Sequence, residues 1–190
     1  MDSYFKKQIE YSFAGRKFVF DVAESLFSTF AIDHGTDVLI RNITTSNPKS
    51  ILDLGSGYGP IGIVLASKYP SSQVTMVDRD LLAIRYSQMN IRSNHIENAK
   101  AVGSLGLEAV QGETFDLAVS NIPAKIGDEA IAQEFILAPY KQLNPGGELW
   151  VVVVNALNHL LPRIEIIPNL KMKEVKKRKD HTVYMVRKAD

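Results

Sequence analysis

At 190 residues the chain has the length of one domain with small additions, and a hydrophobic content of 45% excludes a disordered chain. Lys+Arg 22 against Asp+Glu 21 leave a formal charge of +1, so the total carries no global sign of a nucleic-acid binder or of an enzyme for acidic substrates. The absence of Cys removes disulfide frameworks, Cys-ligated zinc, iron–sulfur clusters and cysteine nucleophiles together, and fits a reducing interior.

The N-terminus, Met1 to Lys7, leads into polar and mixed residues rather than an apolar signal, and the longest clean apolar run is Leu149 to Val154; the expectation is a cytoplasmic protein without a membrane span. Tyr11-Ser12-Phe13 and Lys17 to Asp21 alternate apolar and polar residues around Ala14-Gly15-Arg16, which predicts a hairpin. Asp33-His34-Gly35-Thr36 supplies helix-start residues for a short helix that must end by Asn47-Pro48. From Lys49 the pattern becomes short buried strands alternating with helices: a strand over Ile51 to Leu54, a helix over Ile61 to Tyr69, a strand over Gln73 to Val77 and a helix from its cap Asp80 to about Asn94. Strands at Ala99 to Val102 and Phe115 to Ser120, a helix over Glu129 to Leu143 and a strand over Glu148 to Val154 follow. Such alternation gives right-handed crossovers and a parallel sheet covered on both faces, an α/β doubly wound fold. After Pro162 and Pro168, stretches at Leu170 to Val175 and Thr182 to Val186 predict a closing antiparallel hairpin, with Lys176-Lys177-Arg178-Lys179-Asp180 as its connection. One domain is expected, its residues 1–48 an N-terminal hairpin and lid helix and its residues 49–190 the cofactor-binding core.

Asp53-Leu54-Gly55-Ser56-Gly57-Tyr58-Gly59 falls where the first core strand meets its helix. In a doubly wound sheet ligands bind at the carboxyl ends of the strands, and glycines let the backbone approach them without a Cβ in the way. Asp78 ends the next strand, where a carboxylate can accept from both hydroxyls of a ribose. A dinucleotide fingerprint needs a glycine at position 60, where this chain has Pro60. An acidic residue two before the first glycine suits a ligand carrying ammonium and sulfonium, which is S-adenosylmethionine, and repels a pyrophosphate. A bare turn that merely closes a tight connection does not require three spaced glycines plus Asp78.

With these residues the chain resembles the class I methyltransferases and, more narrowly, the small-domain methyltransferase family. The resemblance runs through Glu24-Ser25-Leu26-Phe27-Ser28, Asp33-His34-Gly35-Thr36, the glycine turn and Val74 to Asp78, then through Phe115 to Asn121 and Leu143 to Leu149. It implies a seven-stranded sheet with one antiparallel strand inserted by the last hairpin, S-adenosylmethionine as cofactor, no metal, and methylation of a guanine exocyclic amine (N2) in ribosomal RNA, alone or in the small subunit. Asp53, Gly55, Ser56, Gly57 and Gly59 would line the cofactor, Asp78 and Arg79 its ribose, and Ser104, followed by Leu105 rather than an acid, its adenine.

The resemblance further implies a catalytic Asn-Pro-Pro-aromatic after the fourth strand, its asparagine also beside the cofactor. Here it reads Asn121-Ile122-Pro123-Ala124. Two acceptors, the Asn121 oxygen and the Ile122 carbonyl, can face the N–H groups of a base amine and favour the pyramidal form that its transition state needs. The aromatic that would stack on a base is lost, and Phe27 or Phe30 could replace it, with Ser28 and Lys125 as further substrate contacts and Lys176, Lys177 and Arg178 for the RNA backbone. Plainer readings stand beside these: Asn121-Ile122-Pro123 as an ordinary turn, Trp150 as core, the four scattered His residues as solvated or satisfied, and the Lys/Arg run as a means of solubility. A methyltransferase for a small molecule or protein side chain, and a non-catalytic binding module, are the competing functions. The charge is divided: residues 171–190 hold eight Lys/Arg and three Asp/Glu, net +5, and the remaining fourteen and eighteen give −4, which restores the +1.

Overall fold

The computed structural model describes residues 3–24, 26, 31–168 and 170–189. The chain opens with the antiparallel pair β1 (Phe5–Phe13) and β2 (Arg16–Ala23). Ala14 and Gly15 between them both take positive φ, 48° and 80°, as a two-residue hairpin turn requires. Helix α1 (His34–Asn42) starts on Asp33, whose side chain accepts from the Thr36 N–H.

The core follows as β3 (Ser50–Leu54), α2 (Pro60–Lys68), β4 (Gln73–Asp78), α3 (Leu81–Ser93), β5 (Ala99–Gly103) and β6 (Phe115–Asn121). Then come α4 (Asp128–Ala130), a π-helical stretch Ile131–Leu137, α5 (Ala138–Lys141) and the long strand β7 (Leu143–Val154). A short pair, β8 (Glu165–Ile167) and β9 (Leu170–Lys171), precedes the closing hairpin of β10 (Lys173–Arg178) and β11 (His181–Arg187). The seven-stranded sheet has the order β10-β11-β7-β6-β3-β4-β5. Strands β3 to β7 run parallel, and β11 is antiparallel to β7 and β10 on either side. This is the α/β doubly wound arrangement predicted, with its inserted antiparallel strand.

Side chains alternate between two cores with the period of a strand. Ile51, Val74, Met76, Leu117, Val119 and Val152 face the core shared with α1, α2, α3 and the N-terminal hairpin. Leu52, Leu54, Val77, Ala118, Val151 and Val153 face the one shared with Ile131, Phe135, Ile136 and Tyr140. Trp150 is core, 2% exposed, with its indole N–H donated to Glu148. The hairpin is welded on: Phe18 and Phe20 are at most 1% exposed, and the Asn90 and Asn94 amides of α3 and its cap bond both ways with the Asp21 and Val19 peptides.

Three expectations are corrected. The helix expected over Glu129 to Leu143 is split, because Pro139 has no N–H to give and its ring crowds the turn before it; the coil widens to a π stretch and the helix ends at Lys141. Leu143 already belongs to β7, in which Asn144-Pro145-Gly146-Gly147 loop out while β6 advances only from Phe115 to Leu117. The Gly147 carbonyl accepts the Lys188 N–H at 2.8 Å, which keeps this early piece on the sheet. Lys176, Lys177 and Arg178 are not in a connection: they pair with Val183, Thr182 and His181 along β10, and the turn is Lys179-Asp180. A cationic outermost strand is legitimate because its side chains stay in water while its backbone completes the ladder.

Candidate active site

The carboxyl ends of β3, β4, β5 and β6 converge on one rim of the sheet. Gly55 and Gly57 turn the chain from β3 toward α2 at φ of 72° and 57°, a region closed to most side chains. A Cβ on Gly57 would meet nothing within 4 Å, so this peptide borders open space, whereas one on Gly55 would lie 3.6 Å from the Phe135 ring. Gly59 differs: a Cβ there would touch Ile63, Ser87 and Met76, so this glycine serves the packing of α2 on the sheet. Ser56 is buried at the turn, and its hydroxyl has no hydrogen-bond partner among the described residues.

Asp53, at 0% exposure, is held under the turn by the Gly62 N–H at 2.8 Å to Oδ2, while its buried Oδ1 has no partner among the described residues. Burial pushes its carboxyl up to about 7, with the Gly62 bond opposing and the Asp78 charge adding to the rise. Sequence reasoning does not single out Gly62, yet a Cβ on it would collide with the Met76 sulfur and stand 3.1 Å from Asp53 Oδ2. Its signal is a glycine inside a helix, where the residue costs about 1 kcal/mol against alanine and so needs a reason.

Asp78 ends β4 and accepts from the Gly57 N–H at 2.8 Å and the Asp80 N–H at 2.9 Å, one on each oxygen, which leaves further lone pairs facing the rim. Arg79 beside it is exposed. The Ser104 hydroxyl is committed to its own turn, donating to the Gly106 carbonyl and accepting from the Ala109 N–H, both at 3.0 Å. Two apolar residues stand out instead. Leu81 is 72% and Leu105 67% exposed, and the Leu81 side chain lies 2.7 Å from where a Gly103 Cβ would be, over the end of β5.

Asn121 ends β6. Its Nδ2 donates to Asp33 Oδ2 at 2.8 Å and to Thr36 Oγ1 at 3.0 Å, across 88 and 85 residues of chain. Ile122 is buried and donates its N–H to the Val152 carbonyl; Pro123, Ala124 and Lys125 are exposed. Tyr58 lies in the same neighbourhood, its phenol pushed well above the ordinary range by burial and then by the Asp33 charge. In the sequence Asp33 and Thr36 read as helix-start residues; their link to Asn121 is visible only in the fold. Phe27, Ser28 and Phe30 lie outside the described residues.

The register sets the basic edge level with this rim. Asn121 pairs with Val152, Val152 with Val183 and Val183 with Lys176, so Lys176 is three strands from Asn121, roughly 14 Å at the usual strand spacing. Among the described residues no group of three His, Asp or Glu side chains is placed to hold a metal ion, and no helix is long and apolar enough to cross a membrane.

A doubly wound sheet with a glycine turn after one central strand and an acid ending the next is the arrangement of enzymes that hold a nucleoside cofactor at a topological switch point. Residues 17–185 match the family model described as methyltransferase small domain, and the chain belongs to that family. The chain is 34% identical over 145 residues to the ribosomal RNA small subunit methyltransferase C of Pasteurella multocida, covering 75% of this chain and 42% of that protein. It thus spans about two fifths of the length of such relatives. It is 30% identical over 150 residues to the YbxB protein of Bacillus subtilis, 78% of this chain and 74% of the other. The fold is also that of the 16S rRNA N2 methyltransferase of T. thermophilus, solved with AdoMet and guanosine, at a TM-score of 0.81 and 23% identity over 98% of this chain and 51% of that one.

Proposed function

We propose that the chain is an S-adenosylmethionine-dependent methyltransferase acting on the exocyclic amine of a base, with guanine N2 in small-subunit ribosomal RNA as its target, in the cytoplasm. The observation that carries this reading is Asn121: both of its amide hydrogens are engaged by Asp33 and Thr36, so the group left for a substrate is a carbonyl oxygen, beside the backbone carbonyl of Ile122. The activity for which the small-subunit relatives are named agrees with it, as does a cationic strand level with the site.

The residues at the rim fit the cofactor. Asp53 offers an unpartnered buried oxygen to an ammonium group, Gly55 and Gly57 give backbone access, and Asp78 has lone pairs left for a ribose. Leu81 and Leu105 offer apolar walls to an adenine where Ser104 is already occupied. When bound, S-adenosylmethionine supplies a methyl already activated on sulfur, so what remains for the protein is to position the nucleophile. Asn121 Oδ1 and the Ile122 carbonyl accept from the two hydrogens of the amine, which draws its lone pair out of conjugation with the ring. Lys176, Lys177 and Arg178 hold RNA phosphates by charge.

Ala124, exposed where a base would favour an aromatic, supports a second reading in which the amine belongs to a small molecule or a protein side chain. Incubation with labelled S-adenosylmethionine separates the two: label in unmodified 16S RNA that Asn121→Ala lowers by about a hundredfold or more supports the first, and label in protein or small molecules alone supports the second.

A further inference from the structure

We infer that Asp33 is a positioning residue that fixes the polarity of the site, turning Asn121 so that a substrate meets hydrogen-bond acceptors and no donor. The inference rests on the methyl-transfer reading above and adds the device that selects an amine for it. An asparagine amide is nearly symmetrical in shape, and its two ends differ only in hydrogen bonding. Left alone, it presents either its oxygen or its NH2 group to a ligand. A carboxylate has no proton to give, so the end of Asn121 that faces Asp33 must be the nitrogen. Thr36 Oγ1 takes the second hydrogen, and Thr36 is 4% exposed, so water does not compete for that bond.

Asp33 is itself immobilised. The Oδ2 that holds Asn121 also accepts the Thr36 N–H at 3.1 Å, so the N-cap of α1 and the orientation of the amide share one oxygen. Position 35 must be small: a Cβ on Gly35 would stand 2.9 Å from Asp33 Oδ2 and 2.6 Å from the His181 ring. The chain therefore places a glycine in the first turn of a helix, where it is unfavourable, to leave room for the His181 ring and this carboxylate together. The resulting selectivity is chemical. A reacting nitrogen that carries N–H groups is received by Asn121 Oδ1, whereas a carbonyl oxygen or an unprotonated ring nitrogen meets a lone pair and is turned away.

Two substitutions separate this role from simple capping. Asp33→Ser keeps a good N-cap but is too short to reach Asn121, while Asp33→Asn can make both bonds through its one carbonyl oxygen. With RNA as acceptor, Asp33→Ser is expected to lower kcat about a hundredfold, the cost of a misplaced group, with the S-adenosylmethionine Kd and the RNA KM within about threefold. Asp33→Asn is expected to restore kcat to within about tenfold of the parent, and Asp33→Ser to cost nothing further in an Asn121→Ala background, since the two act as one unit. A second readout does not depend on turnover. The side-chain NH2 resonances of Asn121, identified by their loss in Asn121→Ala, should be protected from exchange in the parent and in Asp33→Asn, and exposed in Asp33→Ser. Transfer to no RNA in the parent would end the functional reading and leave these spectra to decide the orientation. Unchanged Asn121 resonances in Asp33→Ser, or an unchanged kcat where the parent is active, would overturn the inference.

Discussion

Two buried polar clusters lie on the same side of the sheet and are finished in opposite ways. At the seam between β2 and α3, Asn90 accepts from the Asp21 N–H at 2.8 Å and donates to the Asp21 and Tyr58 carbonyls at 3.0 and 2.9 Å. Asn94 accepts from the Val19 N–H and donates to the Val19 and Asn90 carbonyls. The hydrogen-bonding atoms of both amides are used. Under the glycine turn, Asp53 is as deeply buried, but one oxygen is held by Gly62 and the other by nothing. A buried polar group whose bonds are all met within the chain is structure; one with an unpartnered oxygen is costly to bury and marks a candidate site.

The comparison can be tested by removing each polar group, and the largest effect belongs to Asp53. Its folded-state pKa of about 7 lies above the ordinary carboxylate value of 3.8. As pH rises past that lower value the unfolded chain releases its proton first, so the stability this group contributes is whole below about pH 4 and is lost as pH rises through about 7. Asp53→Asn keeps an acceptor for Gly62 and abolishes that loss. Its stability relative to the parent should therefore climb by on the order of 4 kcal/mol between pH 4 and pH 8 in urea unfolding without ligand, about 1.4 kcal/mol for each tenfold difference in proton affinity between the folded and unfolded chain. A flat difference would mean that Asp53 is as well satisfied as the asparagines.

Asn90→Ala comes next. Three bonds are lost at about 1 kcal/mol each, for roughly 3 kcal/mol, and because no charge is involved the loss should be the same at pH 5 and pH 8. A loss well under 1 kcal/mol would show that the hairpin is loosely seated. The smallest effect on stability is expected at the cationic edge, where reversing Lys176, Lys177 and Arg178 to Glu should change unfolding by no more than about 0.5 kcal/mol per site. RNA binding should weaken, and the dependence of log K on log salt should flatten by about one for each phosphate that the edge no longer holds, as filter binding over a salt series would read.

The sheet was legible in the sequence because its parallel strands carry short apolar runs, such as Leu117 to Val119 and Leu149 to Val154, punctuated by Asp80, Asn121 and the glycine turn. The ends of β3 to β6, and of α2 and α3 between them, fall within a residue or two of expectation. Local signals failed where a distant partner decides the outcome. Leu143 enters β7 early because Lys188 of the tail pairs with Gly147. Lys176 to Arg178 become strand because β11 lends them a ladder, although their polar side chains suggest a turn. The glycine turn and Asp78 could be marked as a candidate site from spacing alone, since their signals are local. Asp33 could not: nothing within its own helix says that its carboxylate will meet an amide 88 residues away.

The first turn of α2 has a consequence for the kind of ligand the rim admits. Its cap residue Gly59 has no side chain to offer and Pro60 has no N–H, so the helix begins without a local counter-charge. The start of a helix carries a partial positive charge and, where a ligand can reach it, ordinarily draws phosphate. Asp53, reaching from β3 to the Gly62 N–H, sets its carboxyl beside that pole, and above the pH of about 7 at which it ionises its charge opposes the pole. Ionised, that side chain should make the turn favour a cation over an anion. Replacing Asp53 with a neutral residue would uncover the helix pole as well as remove a charge, and should shift the preference of the turn from an ammonium toward a phosphate.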